Sequence, residues 1–167
     1  MLRTILIFGL FVFSFTYSFA QNGESNEKVI FKADTEFSAQ SETEIDSENA
    51  KIGGDVYFVI TENVKGEGTD IAKGSELYAR VVNVQKASAE NKNTSKITIL
   101  FDFVKKDGDF VPLTAGITSV EGSQQQIKFE QSPTFAGGTI LSIKAKNLHL
   151  DKGKVFRIKL LKDITSK

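Results

Sequence analysis

The sequence contains no cysteine and no tryptophan, and its 167 residues include only one histidine and two prolines. The absence of cysteine excludes disulfides, thiolate metal sites, cysteine nucleophiles and a lipid-modified N-terminal cysteine. A single histidine also excludes a metal centre with several imidazole ligands. We therefore expect neither a metal ion nor another cofactor.

The chain also lacks an excess of either charge, because 21 lysines and arginines balance 21 aspartates and glutamates. Without a broad positive surface we do not expect a nucleic-acid partner. The charges are nevertheless divided along the chain. Residues 21–70 carry 4 basic and 12 acidic side chains, whereas residues 144–167 carry 8 basic and 2 acidic ones.

The N-terminal segment has the three parts of a secretory signal peptide. Arg3 supplies a positive charge, residues 5–13 are an uninterrupted run of apolar residues and one glycine, and the small residues Ser18 and Ala20 suit signal peptidase. We predict cleavage between Ala20 and Gln21, which makes the protein exported, either periplasmic or secreted. The alternative is an uncleaved anchor, but the apolar stretch is shorter than the about 20 residues of a spanning helix. We expect no transmembrane span after cleavage.

The rest of the chain is predicted to form one domain. Residues 21–28 are polar and read as a disordered leader, residues 29–164 as the domain, and residues 165–167 as a tail. Apolar residues recur with the period of two that is typical of strands. About eight strands predict an all-β fold, a single small antiparallel β-barrel or sandwich. The predicted strands are residues 35–40, 55–64, 77–84, 97–103, 110–117, 127–129, 140–146 and 156–160.

No substantial helix is expected after the signal peptide. The one candidate is 41–51, where Ser41 and Glu44 have capping-box spacing. Only two residues of this segment are apolar, Ile45 and Ala50, so a helix would bury little. A loop or a single turn is favoured.

Two strands carry expectations about the interior. Strand 55–64 is apolar on both faces, with Phe58 on one and Tyr57 on the other, which predicts a strand covered on both sides. Strand 97–103 has a one-sided stripe of Ile97, Ile99, Phe101 and Phe103. The interior is either hollow or filled by Phe58, Phe101, Phe103 and Val111. A filled interior would exclude a lipocalin-like carrier.

One hairpin can be predicted from its turn. Asp107-Gly108 lies between two apolar runs, and glycine adopts positive φ at little cost. Pro112 follows in the second strand and has no amide donor. Strand 110–117 is therefore predicted at a sheet edge or with a bulge.

The two ends of the domain resemble each other. Residues 29–45 align with residues 148–164 at a constant offset of 119, which suggests an internal repeat. Because the ends carry opposite charges, we predict that the first and last strands are neighbours. The predicted partners are Glu36, Glu42 and Glu44 on one side and Arg157, Lys159 and Lys162 on the other.

No catalytic residue is predicted. His149 could share a strand face with Asp151, but no nucleophile motif accompanies them, so His149 is interpreted as a surface residue. Two acidic pairs could act as acid and base or bind calcium: Glu62 with Glu67, and Asp107 with Asp109. Such pairs are expected by chance among 21 carboxylates, and neither has EF-hand spacing.

The basic C-terminal segment could bind an anionic partner such as lipid headgroups or an acidic glycan. The alternative is an ordinary solvated strand face, for which alternation of lysine with apolar residues is the expected pattern. The candidate anion-binding face consists of Lys144, Lys146, Arg157 and Lys159.

Several short motifs occur in a characteristic order over residues 29–119. They are Ala33-Asp34-Thr35, Gly53-Gly54-Asp55, Ile71-Ala72-Lys73-Gly74-Ser75 and Asp107-Gly108. In this order they resemble a family of exported bacterial proteins of unknown function built from small β-domains. Asp34 stands for the family's glycine and Ala72 for its proline. The turn and hairpin are also similar, more faintly, to the periplasmic barrel domain of the TrbI-like core component of type IV secretion.

We interpret the chain as an exported non-enzymatic β-domain, a structural or binding module of the cell envelope or the extracellular space. One alternative is an accessory component of a secretion or conjugation apparatus. Another is a carboxylate-dependent hydrolase, which would need two buried carboxyl groups facing each other in a cleft. The expected partner is an envelope protein or an anionic surface.

Overall fold

The computed structural model describes residues 28–166. The predicted signal peptide, its cleavage site between Ala20 and Gln21, and the leader up to residue 27 lie outside them. Within residues 28–166 every regular element is a β-strand, so the expectation of no substantial helix is confirmed there. This part of the chain accordingly holds no helical segment that could cross a membrane.

Fifteen strands run along residues 28–166. Most are short, and the buried positions within the longer ones alternate as the period of two predicts. The strands are β1 (Val29–Phe31), β2 (Glu36–Ser41), β3 (Ile45–Asp46), β4 (Asp55–Ile60), β5 (Val64–Lys65), β6 (Asp70–Ile71), β7 (Glu76–Gln85), β8 (Ser95–Lys106), β9 (Asp109–Pro112), β10 (Ala115–Val120), β11 (Lys128–Gln131), β12 (Thr139–Ile143), β13 (His149–Leu150), β14 (Val155–Leu160) and β15 (Ile164–Thr165).

Nine strands form one antiparallel sheet that nearly closes into a barrel. Eight follow one another in the order β10-β14-β2-β4-β7-β8-β12-β11, and β9 pairs with the second half of β8. β10, at one end of this order, reaches β12, the strand next to the other end, where the Ile117 amide donates to Thr139 Oγ1 at 2.9 Å. The all-β prediction is therefore confirmed, and the sheet is barrel-like.

The interior of the barrel is filled by side chains. Phe37, Phe58 and Phe156 are each no more than 1% exposed. The ring centroids of Phe58 and Phe156 are 5.3 Å apart, and those of Phe58 and Phe101 are 5.5 Å apart. Burial of this apolar surface is the main force that stabilises the fold. Of the two predicted alternatives, the filled interior is the one found in residues 28–166.

Phe103, predicted as part of the interior stripe, lies on the outer face instead. Tyr78 pairs with Phe103, but the next residue of β7 pairs with Phe101, so Asp102 is an extra residue in β8. Such a bulge reverses the alternation of side chains. Val104 consequently points inward and is fully buried, whereas Phe103 is half-buried outside. The stripe was predicted correctly as far as Phe101 and wrongly at Phe103.

The two ends of the chain pair strand by strand. β1 lies beside β15, β2 beside β14 and β3 beside β13, all antiparallel. Shifting Glu36–Ser41 by 119 residues gives Val155–Leu160, and Phe37 lies opposite Ile158. The two repeated segments, β1-β2-β3 and β13-β14-β15, are therefore related by a pseudo-twofold axis and pair with each other. The prediction that the first and last strands are neighbours is confirmed. The β1–β15 pairing extends across the predicted domain boundary at residue 164.

Of the predicted neighbours, Glu36 and Lys159 do face each other, but the ion pairs between the two ends involve other partners. Glu36 lies opposite Lys159 in the ladder, but Lys159 Nζ is 2.9 Å from Asp34 Oδ1. Glu42 pairs with Lys152 at 2.7 Å. These side chains sit on the surface, where water screens the charges, so the pairs add little to stability.

Pro112 divides the predicted strand 110–117. β9 ends at Pro112 and β10 begins at Ala115, because proline cannot donate to a ladder and the chain turns to a new neighbour. β9 pairs with β8 alone within the described chain, which confirms the predicted edge position. Val111 is partly buried against the core rather than enclosed by it.

Two local predictions are confirmed. Asp107 and Gly108 have φ values of 52° and 92°, as a two-residue turn with positive φ at both positions requires. Residues 41–51 contain β3 and a single turn, in which the Ala50 amide donates to the Asp46 carbonyl oxygen at 2.8 Å.

Candidate functional site

Four aromatic side chains form a cluster on the outer face of the sheet, named here the aromatic patch: Tyr57, Tyr78, Phe103 and Phe110. Ring centroids are 5.1 Å apart for Tyr57 and Tyr78, 4.6 Å for Tyr78 and Phe103, and 4.8 Å for Phe103 and Phe110. Tyr57 is 40% exposed and Phe110 61% exposed. The prediction that strand 55–64 is covered on both sides is wrong. No further layer of the described residues covers its outer face, where Tyr57 contacts its aromatic neighbours and remains 40% exposed.

The patch follows from strand register. Tyr57 of β4 lies opposite Tyr78 of β7, and Tyr78 lies opposite Phe103 of β8. The bulge at Asp102 turns Phe103 outward, and the hairpin after β8 folds Phe110 back onto it. Without the bulge the centre of the patch would point into the barrel.

Hydrogen bonds to carboxylates fix the tyrosine hydroxyls. Tyr57 donates to Asp55 Oδ2 at 3.0 Å, and Tyr78 donates to Glu76 Oε2 at 2.5 Å. These bonds raise the pKa of both tyrosines above 10.0. The bonds from Tyr78 and Lys105 lower the pKa of Glu76 below 4.5. At neutral pH the hydroxyls therefore keep their protons and Glu76 keeps its negative charge.

A cleft of about 340 Å³ opens beside the two tyrosines. We call it the acidic cleft, and it is lined by Glu42, Tyr57, Phe58, Val59, Glu76 and Tyr78. Carboxylates beside aromatic rings suit a cationic group, since both the charge and the ring faces attract it. Both carboxylates already contact a lysine of this chain, Glu42 with Lys152 at 2.7 Å and Glu76 with Lys105 at 3.3 Å, so a partner's lysine or arginine would share or replace these exposed contacts.

The patch continues to a free backbone edge. Within residues 28–166 β9 pairs with β8 only, so its other edge is open. The hairpin begins with the hydrogen-bonded pair Lys106 and Asp109. In an antiparallel ladder such pairs alternate with pairs that are not hydrogen-bonded, and Phe110 belongs to the next pair, opposite Lys105. The backbone amide and carbonyl of Phe110 therefore point away from β8. Pro112 offers no donor to a strand added at this edge.

The structure separates the four residues of the predicted anion-binding face. Three are paired: Lys146 with Glu48 at 3.7 Å, Arg157 with Glu62 at 3.7 Å, and Lys159 with Asp34 at 2.9 Å. Lys144 has no carboxylate within 4.0 Å in residues 28–166 and lines another cleft together with Lys96 and Lys128.

His149 lies between carboxylates where β3 meets β13. Its Nδ1 is 3.3 Å from Glu44 Oε1 and its Nε2 is 3.1 Å from Asp151 Oδ1. Asp46 faces His149 across the ladder. Ligand atoms of Glu44, Asp46 and His149 lie within 4.8 Å of one another, so these residues could hold a metal ion. The sequence analysis named Asp151 as a neighbour of His149 but not Glu44 and Asp46. The repeat offered a signal for them, because antiparallel pairing of the two repeated ends brings β3 beside β13.

Asp46 is the buried member of this group, at 8% exposure. Burial acts to raise its pKa, but hydrogen bonds from the Glu48 amide and from Asn147 and Asn49, with the charge of His149, lower it below 3.8. The Glu48 amide donates to Oδ1 at 2.9 Å and Asn49 to Oδ2 at 2.5 Å. Both carboxylate oxygens are thus engaged in joining β3 to its following turn.

The predicted acidic pairs face separate partners. The contacts are Glu62 with Arg157 at 3.7 Å, Glu67 with Lys32 at 2.9 Å, and Asp107 with Lys106 at 2.5 Å. Glu62, Glu67, Asp107 and Asp109 are all exposed. Among residues 28–166 Asp46 is the one buried carboxylate, so two facing buried carboxyl groups do not occur there.

No family model matches the chain, and no curated protein matches its sequence. Its fold is similar to the solved structure of ComB10 of the Com type IV secretion system of Helicobacter pylori. The likeness covers 82% of this chain and 90% of the ComB10 chain, with a TM-score of 0.50 and 14% sequence identity. At the level of fold this confirms the fainter resemblance to the TrbI-like barrel domain.

Proposed function

We propose that the protein is an exported, non-enzymatic binding module of the cell envelope that holds a polypeptide partner on its aromatic patch. The exposure of this patch carries the proposal. Soluble domains seldom leave contiguous aromatic surface uncovered, and tyrosine and phenylalanine are enriched in interface cores. Phe110 alone leaves 61% of its surface uncovered, while the barrel interior is packed.

The acidic cleft specifies the partner's chemistry. Glu42 and Glu76 flank the cleft, and Tyr57 and Tyr78 line it. The stem of a partner lysine or arginine would lie against the rings while its charged head reaches the carboxylates. Neighbouring apolar residues of the partner would cover Phe110. The expected partner segment is therefore extended and combines a basic residue with apolar ones.

A second candidate function is an accessory component of a secretion apparatus. The fold-level similarity to ComB10 favours it. Both candidates need a protein partner, but they differ in its size. Co-purification of the full chain with a large envelope complex would favour the apparatus, and a one-to-one complex with a single protein would favour the free module.

Position-specific photo-crosslinking tests the docking surface. A benzophenone amino acid replaces Tyr57 or Phe110 in the full chain, expressed in its own cells. Ile52 is the control position, because it is apolar and 69% exposed but lies outside the patch. We expect one crosslinked product of the same mass from both patch positions and none from the control. Equal products from all three positions, or none from the patch, would contradict the proposal.

The charge of the partner is tested in the same assay. The double variant Glu42→Gln with Glu76→Gln removes both cleft carboxylates. Because two charge contacts are lost, we expect the crosslink yield at residue 110 to fall about tenfold. Glu90→Gln, an exposed change outside the patch, should leave the yield unchanged. An undiminished yield in the double variant would show that the partner segment is not basic.

A further inference from the structure

A cleft with four lysines lies on the other half of β8, away from the aromatic patch. Its volume is about 630 Å³. We call it the lysine cleft, and its charged lining consists of Lys92, Lys96, Lys128, Lys144 and Glu130. Lys144 was part of the sequence-predicted anion-binding face, whereas the other three lysines come from segments that the sequence did not connect.

Strand register brings two of these lysines together, and a third follows directly after β12. Ser142 of β12 lies opposite Lys96 of β8 on one side and opposite Lys128 of β11 on the other. Lys144 lies just beyond the end of β12 at Ile143 and lines the same cleft. Leu141, the neighbour of Ser142 in β12, is fully buried, so Ser142 and the two lysines opposite it, Lys96 and Lys128, lie on the outer face of the sheet.

The fourth lysine is positioned by a structured loop between β7 and β8. Lys92 and Asn93 have positive φ values of 57° and 54°. The side chain of Asn91 stabilises this conformation, because its Oδ1 accepts from the amides of Ser88 at 2.8 Å and Thr94 at 3.1 Å. Lys92 is therefore held at the rim of the cleft by its loop.

The positive charge of the cleft is not balanced within the described chain. None of its four lysines has a carboxylate within 4.0 Å in residues 28–166, although many other lysines there do. Glu130 is the one carboxylate in the lining. The hydroxyl of Ser142, which is 8% exposed, forms no hydrogen bond with residues 28–166 and adds an uncharged donor. Four like charges around one cleft repel one another unless a counter-ion joins them.

We propose that the lysine cleft binds a ligand bearing several phosphate groups. Ammonium groups approaching from two strands and two connecting segments suit a phosphate group, whose oxygens accept hydrogen bonds from several directions. The cleft is larger than one phosphate requires, which favours a polyphosphate chain or a phosphorylated headgroup. This inference does not rest on the proposed docking of a polypeptide at the aromatic patch.

Binding of sodium tripolyphosphate to the full chain tests the proposal, with calorimetry for affinity and amide chemical shifts for location. We expect saturable binding at low salt, with the largest shifts in β8, β11 and β12 around Lys96, Lys128 and Ser142. Affinity should fall steeply with added salt, since the Debye length shrinks from about 10 Å at 0.1 M to about 3 Å at 1 M.

Two double variants distinguish binding in the lysine cleft from nonspecific attraction of tripolyphosphate to surface lysines. Lys96→Gln with Lys144→Gln should weaken tripolyphosphate binding about tenfold. Lys73→Gln with Lys162→Gln removes the same charge from exposed turns outside the cleft and should leave the affinity unchanged. Equal weakening in both double variants, or no binding at low salt, would overturn the proposal.

Vesicles of phosphatidylglycerol in phosphatidylcholine identify the natural source of the phosphate groups. Binding of both tripolyphosphate and vesicles, lost together in the Lys96 and Lys144 double variant, would support a membrane headgroup as the ligand. Binding of tripolyphosphate with no binding of vesicles would support a soluble phosphorylated ligand. Vesicle binding that the double variant retains would contradict a role for this cleft at membranes.

Discussion

A single buried carboxylate organises the turn after β3. Asp46 stays ionised despite burial, because amide donors and His149 together outweigh the cost of removing its charge from water. Hydrogen bonds to a charged acceptor contribute about 1.5–3 kcal/mol each, more than those to a neutral one. The stability of this corner of the fold should therefore depend on the charge of one residue.

Asp46→Asn should lower the free energy of unfolding by about 1–2 kcal/mol at pH 7. Because folding lowers the pKa of Asp46 below 3.8, its contribution is present above that pH and is lost as the pH falls through the folded-state pKa. The difference between wild type and variant should accordingly shrink in acid, as measured by urea unfolding across pH. Asp109→Asn, at an exposed turn, is the control. A difference that stays constant down to pH 2 would refute this account.

Residues differ in how far their environment can be predicted. The Asp107-Gly108 turn was predictable because its conformation depends on two adjacent residues. The surroundings of His149 were not, since Glu44 and Asp46 reach it from the opposite end of the sequence. A local pattern contains no information about such a contact unless the strand register is known.

Strands are repeated as well as paired in this fold. The segments β1-β2-β3 and β13-β14-β15 occupy equivalent places about a pseudo-twofold axis. Their turns correspond too, with positive φ at Asp34 (65°) and at Gly153 (92°), which is 119 residues later. The Asp34 amide donates to the Leu160 carbonyl at 2.8 Å, and the Gly153 amide donates to the Ser41 carbonyl at the same distance.

The repeat predicts matched effects of mutation. Phe37 and Phe156 are equivalent positions and both are fully buried. Phe37→Ala and Phe156→Ala should each lower the free energy of unfolding by about 3–5 kcal/mol, because each leaves a cavity in the same core. Chemical denaturation measures the effect, with Phe110→Ala on the surface expected to cost under about 1 kcal/mol. Unequal losses at the two core positions would show that the halves contribute differently.

The strands could be predicted from the sequence, but the irregularities within them could not. Eight strand segments could be read from the period of two, but the extra residue at Asp102 could not, because an inserted residue leaves a plausible stripe through Phe103. The same misreading hid the aromatic patch. Tyr57 was placed on the face of strand 55–64 opposite Phe58, yet with Phe103 assigned to the interior there was no reason to expect a cluster around it.

Across the whole molecule, two strands from distant parts of the chain, β2 and β14, lie side by side inside the sheet. β14 lies between β2 and β10, and β2 lies between β14 and β4. Opening either strand would expose the rings that fill the barrel. The domain should therefore unfold as one cooperative unit.

Native-state hydrogen exchange tests this cooperativity. Amides of β2 and β14 should exchange with one common free energy, equal to the global free energy of unfolding from urea titration. The edge strands β9 and β11 should exchange sooner, because their ladders are short and border the edges of the sheet. Exchange of β14 at a markedly lower free energy than β2 would reveal separate opening of the C-terminal segment.

The position of β14 also sets the timing of folding on the ribosome. A nascent chain that has emerged only as far as residue 150 has made β2 but not the strand that pairs with it, so β2 remains an open edge beside an incomplete core. Contacts this distant in sequence close late and slowly. Folding can finish only after synthesis of residues 155–165, and until then the apolar residues of β2 that β14 will cover stay exposed to solvent.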